Sequence, residues 1–213
     1  MDFFWSFRSH YCYLALDRVC HLPKDFRVRI NLRPVYPLAI RTPEFFAQMP
    51  RDPKRWRYVR RDAERIAEML ALPFAWPDPD PVIMNMQTLE IAEQQPYIHR
   101  LTALAVAACR RDKGLEFTVA VASLIWGGRR GWDRGDHLAR AVGTAGLDLA
   151  ELDDDIENSP NSYAEEIRQN EAALEAAGHW GVPTLVFNGE PFFGQDRIDV
   201  CRWRLEQQGL QYK

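Results

Sequence analysis

Two short runs at opposite ends of the chain carry residue types and spacings suited to chemistry: Ser9-His10-Tyr11-Cys12 and Gly181-Val182-Pro183-Thr184. Ser9 follows the apolar run Phe3-Phe4-Trp5 and precedes a helical pattern. A strand that turns into a helix there leaves backbone amides unpaired and puts the positive end of the helix dipole beside the serine. A cysteine in that place would be a redox nucleophile. Serine is not, but its hydroxyl can donate to a neighbouring thiolate, so the nucleophile suited to the position is a bound thiol. Ser9 reads equally well as an ordinary N-cap, accepting from an amide of the first turn.

Val182-Pro183 opens the apolar run Leu185-Val186-Phe187. Proline is tolerated at a strand start. With a cis bond, Val182 would turn its amide and carbonyl outward to pair with an extended peptide. With the commoner trans bond, Pro183 only initiates the strand. Gln195-Asp196 precede the last helical pattern, where Asp196 can cap amides or grip an ammonium group. Arg41, Arg55 and Arg57 are candidate anchors for carboxylates, or simply a solvated face. His10 and Cys12 are two apart at a helix start and do not face each other. Cys12 therefore reads as a small buried residue. His21, His99, His137 and His179 lack metal-ligand spacing, and Cys12, Cys20, Cys109 and Cys201 form no CxxC, so no metal site is expected.

The elements that must position these residues follow from periodicity. Residues 2–7 read as a buried strand, and a helix follows until His21-Leu22-Pro23 stops it. Alternation of Val28, Ile30 and Leu32 predicts a second strand over 27–32. Apolar stripes then predict helices around 60–72, 97–109, 117–125 and 137–145 and from Pro160 to Gly178, the last capped by its glycine. Pro73 to Pro81 holds four prolines and reads as an extended connector. Asn188-Gly189 between apolar runs is a strong hairpin signal. Ile198, Cys201 and Leu205 mark the inner face of a final helix. The order βαβ, helical block, ββα predicts an α/β thioredoxin-like fold with a large all-helical insertion. Residues 1–42 and 179–213 form the thioredoxin-like domain and 43–178 the insertion.

Composition excludes several classes. Of 213 residues, 46% are apolar, enough for a sizeable core, and the net charge is -3 from 27 basic and 30 acidic side chains. That balance argues against a general nucleic-acid or membrane-surface protein. No basic segment followed by a long apolar run is seen at Met1-Asp2-Phe3-Phe4-Trp5, so no signal peptide is expected, and no run is long enough for a membrane span. A cytoplasmic protein with reduced thiols is the simplest expectation.

Ser9-His10-Tyr11-Cys12-Tyr13-Leu14-Ala15, Leu32-Arg33-Pro34, Trp126-Gly127, Gly181-Val182-Pro183-Thr184 and Phe193-Gly194-Gln195-Asp196-Arg197 resemble, in that order, the 2-hydroxychromene-2-carboxylate isomerases and kappa-class glutathione transferases. Both belong with the DsbA-like branch of the thioredoxin fold, and the resemblance spans nearly the whole chain. It implies glutathione as cofactor and Ser9 as the catalytic residue contacting its sulfur. It implies a cis Val182-Pro183 bond with Val182 pairing to the tripeptide, and Gln195 and Asp196 holding the γ-glutamyl end. Arg41 matches a lysine position near the substrate, and Arg55 falls near another. The implied reaction is reversible addition of the thiolate to an aromatic enone acid, with a kappa-like transfer as the alternative. A thiol–disulfide oxidoreductase using Cys12, or a thioredoxin-fold protein that only binds, are further alternatives. A homodimer is implied too. The sequence departs from the family at His10, usually proline, at Cys12, usually serine, and at Ser6, commonly aspartate. Gln48 is the candidate for the family's glutathione-binding asparagine.

Overall fold

The computed structural model describes residues 1–48, 52–85 and 88–212. Its central strand is β1 (Asp2–Trp5), whose aromatic residues are all buried. β1 pairs in parallel with β2 (Asn31–Pro34) and antiparallel with β3 (Thr184–Phe187). β3 turns into β4 (Glu190–Phe193), so the sheet order is β2-β1-β3-β4. Phe3 sits opposite both Leu32 and Leu185. The first strand and the last hairpin are therefore neighbours, and the loop after β1 meets the loop before β3.

The β3–β4 turn is made by Asn188 (φ 50°) and Gly189 (φ 80°), both in the left-handed region that a two-residue hairpin of this twist requires. Helix α1 (His10–Asp25) crosses from β1 to β2. It does not stop at Pro23 as the sequence predicts. Proline only forfeits one amide bond in the last turn. Leu22 and Phe26 are fully buried there, and the Phe26 amide closes on the Leu22 carbonyl at 2.9 Å. The second strand likewise begins later than predicted. Arg27 donates its amide to Leu210 near the C-terminus at 2.8 Å instead of joining the ladder.

Between β2 and β3 come α2 (Leu38–Arg41), α3 (Pro43–Ala47), α4 (Pro53–Met69), α5 (Ile98–Arg110), α6 (Gly114–Trp126), α7 (His137–Thr144), α8 (Leu149–Asn158) and α9 (Pro160–Ala176). A short 3-10 turn, Gln195–Arg197, leads into α10 (Ile198–Gln207), whose Ile198, Cys201 and Leu205 are buried as their spacing predicts. The sequence reading missed α8, although Asp148 caps it and Leu149, Leu152 and Ile156 form a sparse stripe that packs on the core. The Pro73–Pro81 connector contains neither helix nor strand. The four strands lie within 1–42 and 179–213, yet the core is continuous. Phe3, Trp5 and Leu14 share one buried cluster with Leu104, Phe117 and Trp126. Helix α5 lies on β2 and α6 on α1, so the helical block closes over the end of the sheet where α1 begins. Among the described residues, no helix is long and apolar enough to cross a membrane.

Candidate functional site

Ser9 caps α1 with extended backbone, φ −89° and ψ 110°, and its Oγ accepts the Cys12 amide at 3.2 Å. The same hydroxyl donates to the Val182 carbonyl at 3.4 Å. The two runs at opposite ends of the sequence thus meet at one hydroxyl. The Val182–Pro183 bond is cis. Its surroundings are held on both sides: Gly194 donates its amide to the Pro183 carbonyl at 2.9 Å, and buried Thr184 donates its hydroxyl to the Gly181 carbonyl at 2.7 Å. Glycine at 181 lets the Phe193 ring lie close, because a Cβ there would be 2.4 Å from Cε2 of Phe193 and the ring would have to shift.

Cys12 is fully buried one turn into α1, and burial pushes its thiol up to about 12. Hydrogen bonding to Ser9 and Ser6 opposes that rise without cancelling it. It stays a neutral thiol, as expected from its place on the helix. The other cysteines are also free thiols, each raised chiefly by burial.

A cavity of about 800 Å³ opens beside Ser9 and Val182. Trp56, Trp76, Trp126 and Trp180 border it. Trp126 is pinned by its indole N–H, which donates to the Phe7 carbonyl at 2.9 Å, and it stacks on Phe74 with an interplanar angle of 19°. The proline-rich connector delivers Trp76 to this wall: the Ala75 amide donates to the Trp126 carbonyl at 2.7 Å, and the two indoles meet edge to face at 5.9 Å. His10 completes the wall, with ring centroids 4.1 Å from Tyr11, 5.2 Å from Trp76 and 6.2 Å from Trp126. Burial first, and the neighbouring Arg8 guanidinium second, lower its pKa to about 4. The imidazole is therefore neutral at physiological pH. Among the described residues, no group of three or more potential ligands could hold a metal ion.

The whole arrangement is that of a known protein family. Residues 1–206 match the DSBA-like thioredoxin domain. The chain belongs to the DsbA-like thioredoxin family. No curated protein matches it in sequence. Among solved structures, this DsbA-like chain is similar to a 2-hydroxychromene-2-carboxylate isomerase, with a TM-score of 0.75 at 20% identity over 97% of this chain and 94% of that one. It is also similar to a probable DsbA oxidoreductase from Streptomyces coelicolor, with a TM-score of 0.65 at 16% identity over 97% and 88% of the two chains. The cytosolic disulfide reductase DsbM from Pseudomonas aeruginosa gives 0.60 at 18% identity over 97% and 98%. At these identities the likeness is one of fold.

In the DsbA-like frame, the cations singled out in the sequence take different places. Arg41 borders the cavity, but its guanidinium is engaged by backbone: Nε donates to the Tyr36 carbonyl and Nη2 to the Trp180 carbonyl, each at 2.7 Å. Glu171 of α9 accepts the Tyr36 amide at 3.1 Å and holds the same loop from its other side. Arg41 thus ties the loop after β2 to the segment two residues before Val182. Arg41→Lys should loosen that segment, since an ammonium cannot present two donors in a planar fork. Amide exchange at Gly181, whose N–H donates to Nδ1 of His179 at 2.8 Å, should quicken by about tenfold, the equivalent of one ordinary hydrogen bond. Unchanged exchange, read by mass spectrometry, would leave Arg41 no part in holding the loop.

Arg55 and Arg57 are exposed and do not border the cavity. On α4, Pro53, Trp56 and Arg60 share the inward face by their spacing of three and four, and Arg55 is off it. Arg60 is the cation of that helix at the cavity, its guanidinium carbon 4.5 Å from the centroid of Trp76. Arg8 is a third, paired with Asp80 at 3.0 Å. Gln195 and Asp196 lie beyond the cavity rim: the Gln195 side-chain oxygen accepts from Arg18, and exposed Asp196 pairs with Arg197 at 2.9 Å. Gln48 is exposed, and residues 49–51 beside it lie outside the described residues. Sequence reasoning missed Arg8, Arg60, Trp56 and Trp76. For Trp56 and Arg60 a signal existed in the α4 spacing. Trp76 had none, since a residue in a proline-rich connector has no period.

Proposed function

We propose that the chain is a glutathione-dependent isomerase of the 2-hydroxychromene-2-carboxylate isomerase type, acting on a flat aromatic enone acid. The observation that carries this reading is the Ser9 hydroxyl, set at the N-terminus of α1 and facing the carbonyl of Val182 beside a wide aromatic cavity. Val182 fits an extended peptide. Among the described residues its amide has no protein partner, and its carbonyl holds only the 3.4 Å contact from Ser9, at the long end of hydrogen bonding. A ligand amide that takes over this carbonyl frees the Ser9 proton to turn toward a sulfur.

Glutathione, when bound, supplies a thiolate that adds to a conjugated bond and leaves again, so the cofactor is regenerated. Ser9 and the unpaired amides of α1 favour the anionic form of a thiol held beside them. Asp196 offers a carboxylate to the ammonium of the γ-glutamyl end, exchanging its exposed contact with Arg197, and Gln195 lies beside it. Trp76, Trp126 and Trp56 exclude water and clamp a flat ring. Arg60 and Arg41 make the cavity attractive to carboxylates, and Arg55 at the start of α4 draws such acids from solution. The reading extends to a cytoplasmic homodimer.

Disulfide exchange is disfavoured because Cys12 is buried and neutral and half-buried Ser9 holds the position at the cavity. Titrating the protein with glutathione across pH while following thiolate absorbance tests the proposal. A saturable thiolate signal well below the free thiol's pKa is expected, with glutathione recovered unchanged after turnover of an enone acid. Stoichiometric loss of glutathione would assign a kappa-like transferase instead. No binding at millimolar concentration would remove both.

A further inference from the structure

Three side chains bordering the cavity carry a buried polar atom that has no partner among the described residues: Oγ of Ser6, Nε2 of His10 and Nε1 of Trp76. Buried polar atoms are nearly always paired; other exceptions, such as Trp5 Nε1 and Thr118 Oγ1, are scattered, but these three gather around one cavity. Ser6 is only 1% exposed, and its backbone carbonyl accepts the Ser9 amide at 3.1 Å, so it belongs to the same turn as the capping serine. His10 follows Ser9 directly, and its ring is 5.2 Å from that of Trp76. All three therefore sit at the end of the cavity where Ser9 lies.

We infer that Ser6, His10 and Trp76 form a subsite that receives the carbonyl oxygen of a conjugated substrate. Trp76 decides the polarity of the ligand. Its indole N–H can only donate, so the atom that satisfies it must be an acceptor. A serine hydroxyl and a neutral imidazole can donate to that same acceptor. His10 stays neutral because burial in the low-dielectric aromatic wall, and second the Arg8 guanidinium, oppose its protonation. It therefore brings a hydrogen bond without bringing a charge that would bind carboxylates indiscriminately. The carboxylate of the substrate is left to the guanidinium of Arg60, whose carbon lies 4.5 Å from the centroid of the Trp76 ring.

The assignment rests on reading the cavity as an isomerase site, and it gives that site its electrophile. When a nucleophile adds to the far carbon of a conjugated bond, an electron pair moves onto the carbonyl oxygen. When the nucleophile departs, the pair returns, and nothing is oxidised or reduced. Donors already fixed around the oxygen stabilise the charged form without reorganising.

The test uses benzylidenepyruvate, a flat aromatic oxo acid, bound to the protein without glutathione, and reads its ketone stretch by isotope-edited infrared difference spectroscopy. In the wild type the bound ketone should absorb below its position in an aprotic solvent. Trp76→Phe, which keeps the aromatic wall, and Ser6→Ala should each move the band back up and weaken binding by about tenfold, as loss of one donor does. His10→Phe should do the same, while His10→Asn, which retains a donor, should move it less. A ketone band at one position in wild type and all variants, or no binding of the probe to folded wild type, overturns the subsite. The glutathione titration is independent of this readout. A shifted ketone band with no glutathione binding would sink the isomerase reading alone, and a normal thiolate signal with an unshifted band would sink the subsite alone.

Discussion

Ser9→Ala is expected to slow glutathione-dependent turnover by about a hundredfold, the scale on which removal of a single donor to a developing or resident anion is felt. The pKa of bound glutathione should rise by about one to two units, because the thiolate loses its hydroxyl donor while keeping the helix amides. The fold should survive. Ser9 also accepts the Cys12 amide at 3.2 Å, so the alanine variant gives up a helix cap, typically about 1 kcal/mol. Ser9→Thr keeps both the cap and the hydroxyl and should restore most of the activity. If alanine and threonine variants show the same thiolate titration as wild type, Ser9 is a cap and nothing more.

Trp126→Ala should produce the largest loss of stability of any single change near the cavity. The indole is 2% exposed, donates to the Phe7 carbonyl at 2.9 Å, and stacks on Phe74 and Tyr13 at interplanar angles of 19° and 18°. Truncating a buried tryptophan costs about 3–5 kcal/mol, and here it also strips a partner from the Phe7 carbonyl. In a chain of this length the melting temperature should drop by roughly 10 °C. Trp126→Phe should cost less, since it keeps a ring and loses the N–H. A urea denaturation series of the three proteins measures both. A loss under about 1 kcal/mol in the alanine variant would mean the wall collapses to refill the space. The site would then be softer than its stacked rings imply.

The interplay of these residues explains why the departures from the family pattern cluster where they do. His10, Ser6 and Cys12 all lie within one turn of Ser9. Cys12 has gone to the core, where its thiol is inert, and the other two border the cavity and carry buried polar atoms with no partner among the described residues. The same short stretch thus keeps the capping serine and changes the side chains around it at the cavity.

Much of this was readable from residue types alone. Ser9 as a cap follows from its own chemistry and that of the next turn. Asn188-Gly189 as a hairpin follows from the backbone angles those residues accept. The α5 stripe and the inner face of α10 follow from helical period. Each depends on neighbours in sequence. Where the second strand begins, and whether α1 survives Pro23, depends instead on what Phe26 and Arg27 meet, and they meet the C-terminal segment around Leu210. Placement of the cations was decided in the same way. Arg41 and Arg55 look alike as charges in a sequence, but one clamps the carbonyls of Tyr36 and Trp180 while the other points away from the inward face of α4. The sequence by itself marked Ser9 and Val182-Pro183 as candidates and placed strands at both ends of the chain with helices between them. Only the tertiary structure decided that Trp76, from a connector without period, walls the site, and that Ser6, His10 and Trp76 border it with polar atoms unpaired. Burial and pairing are properties of the whole packed chain, and no local pattern encodes them.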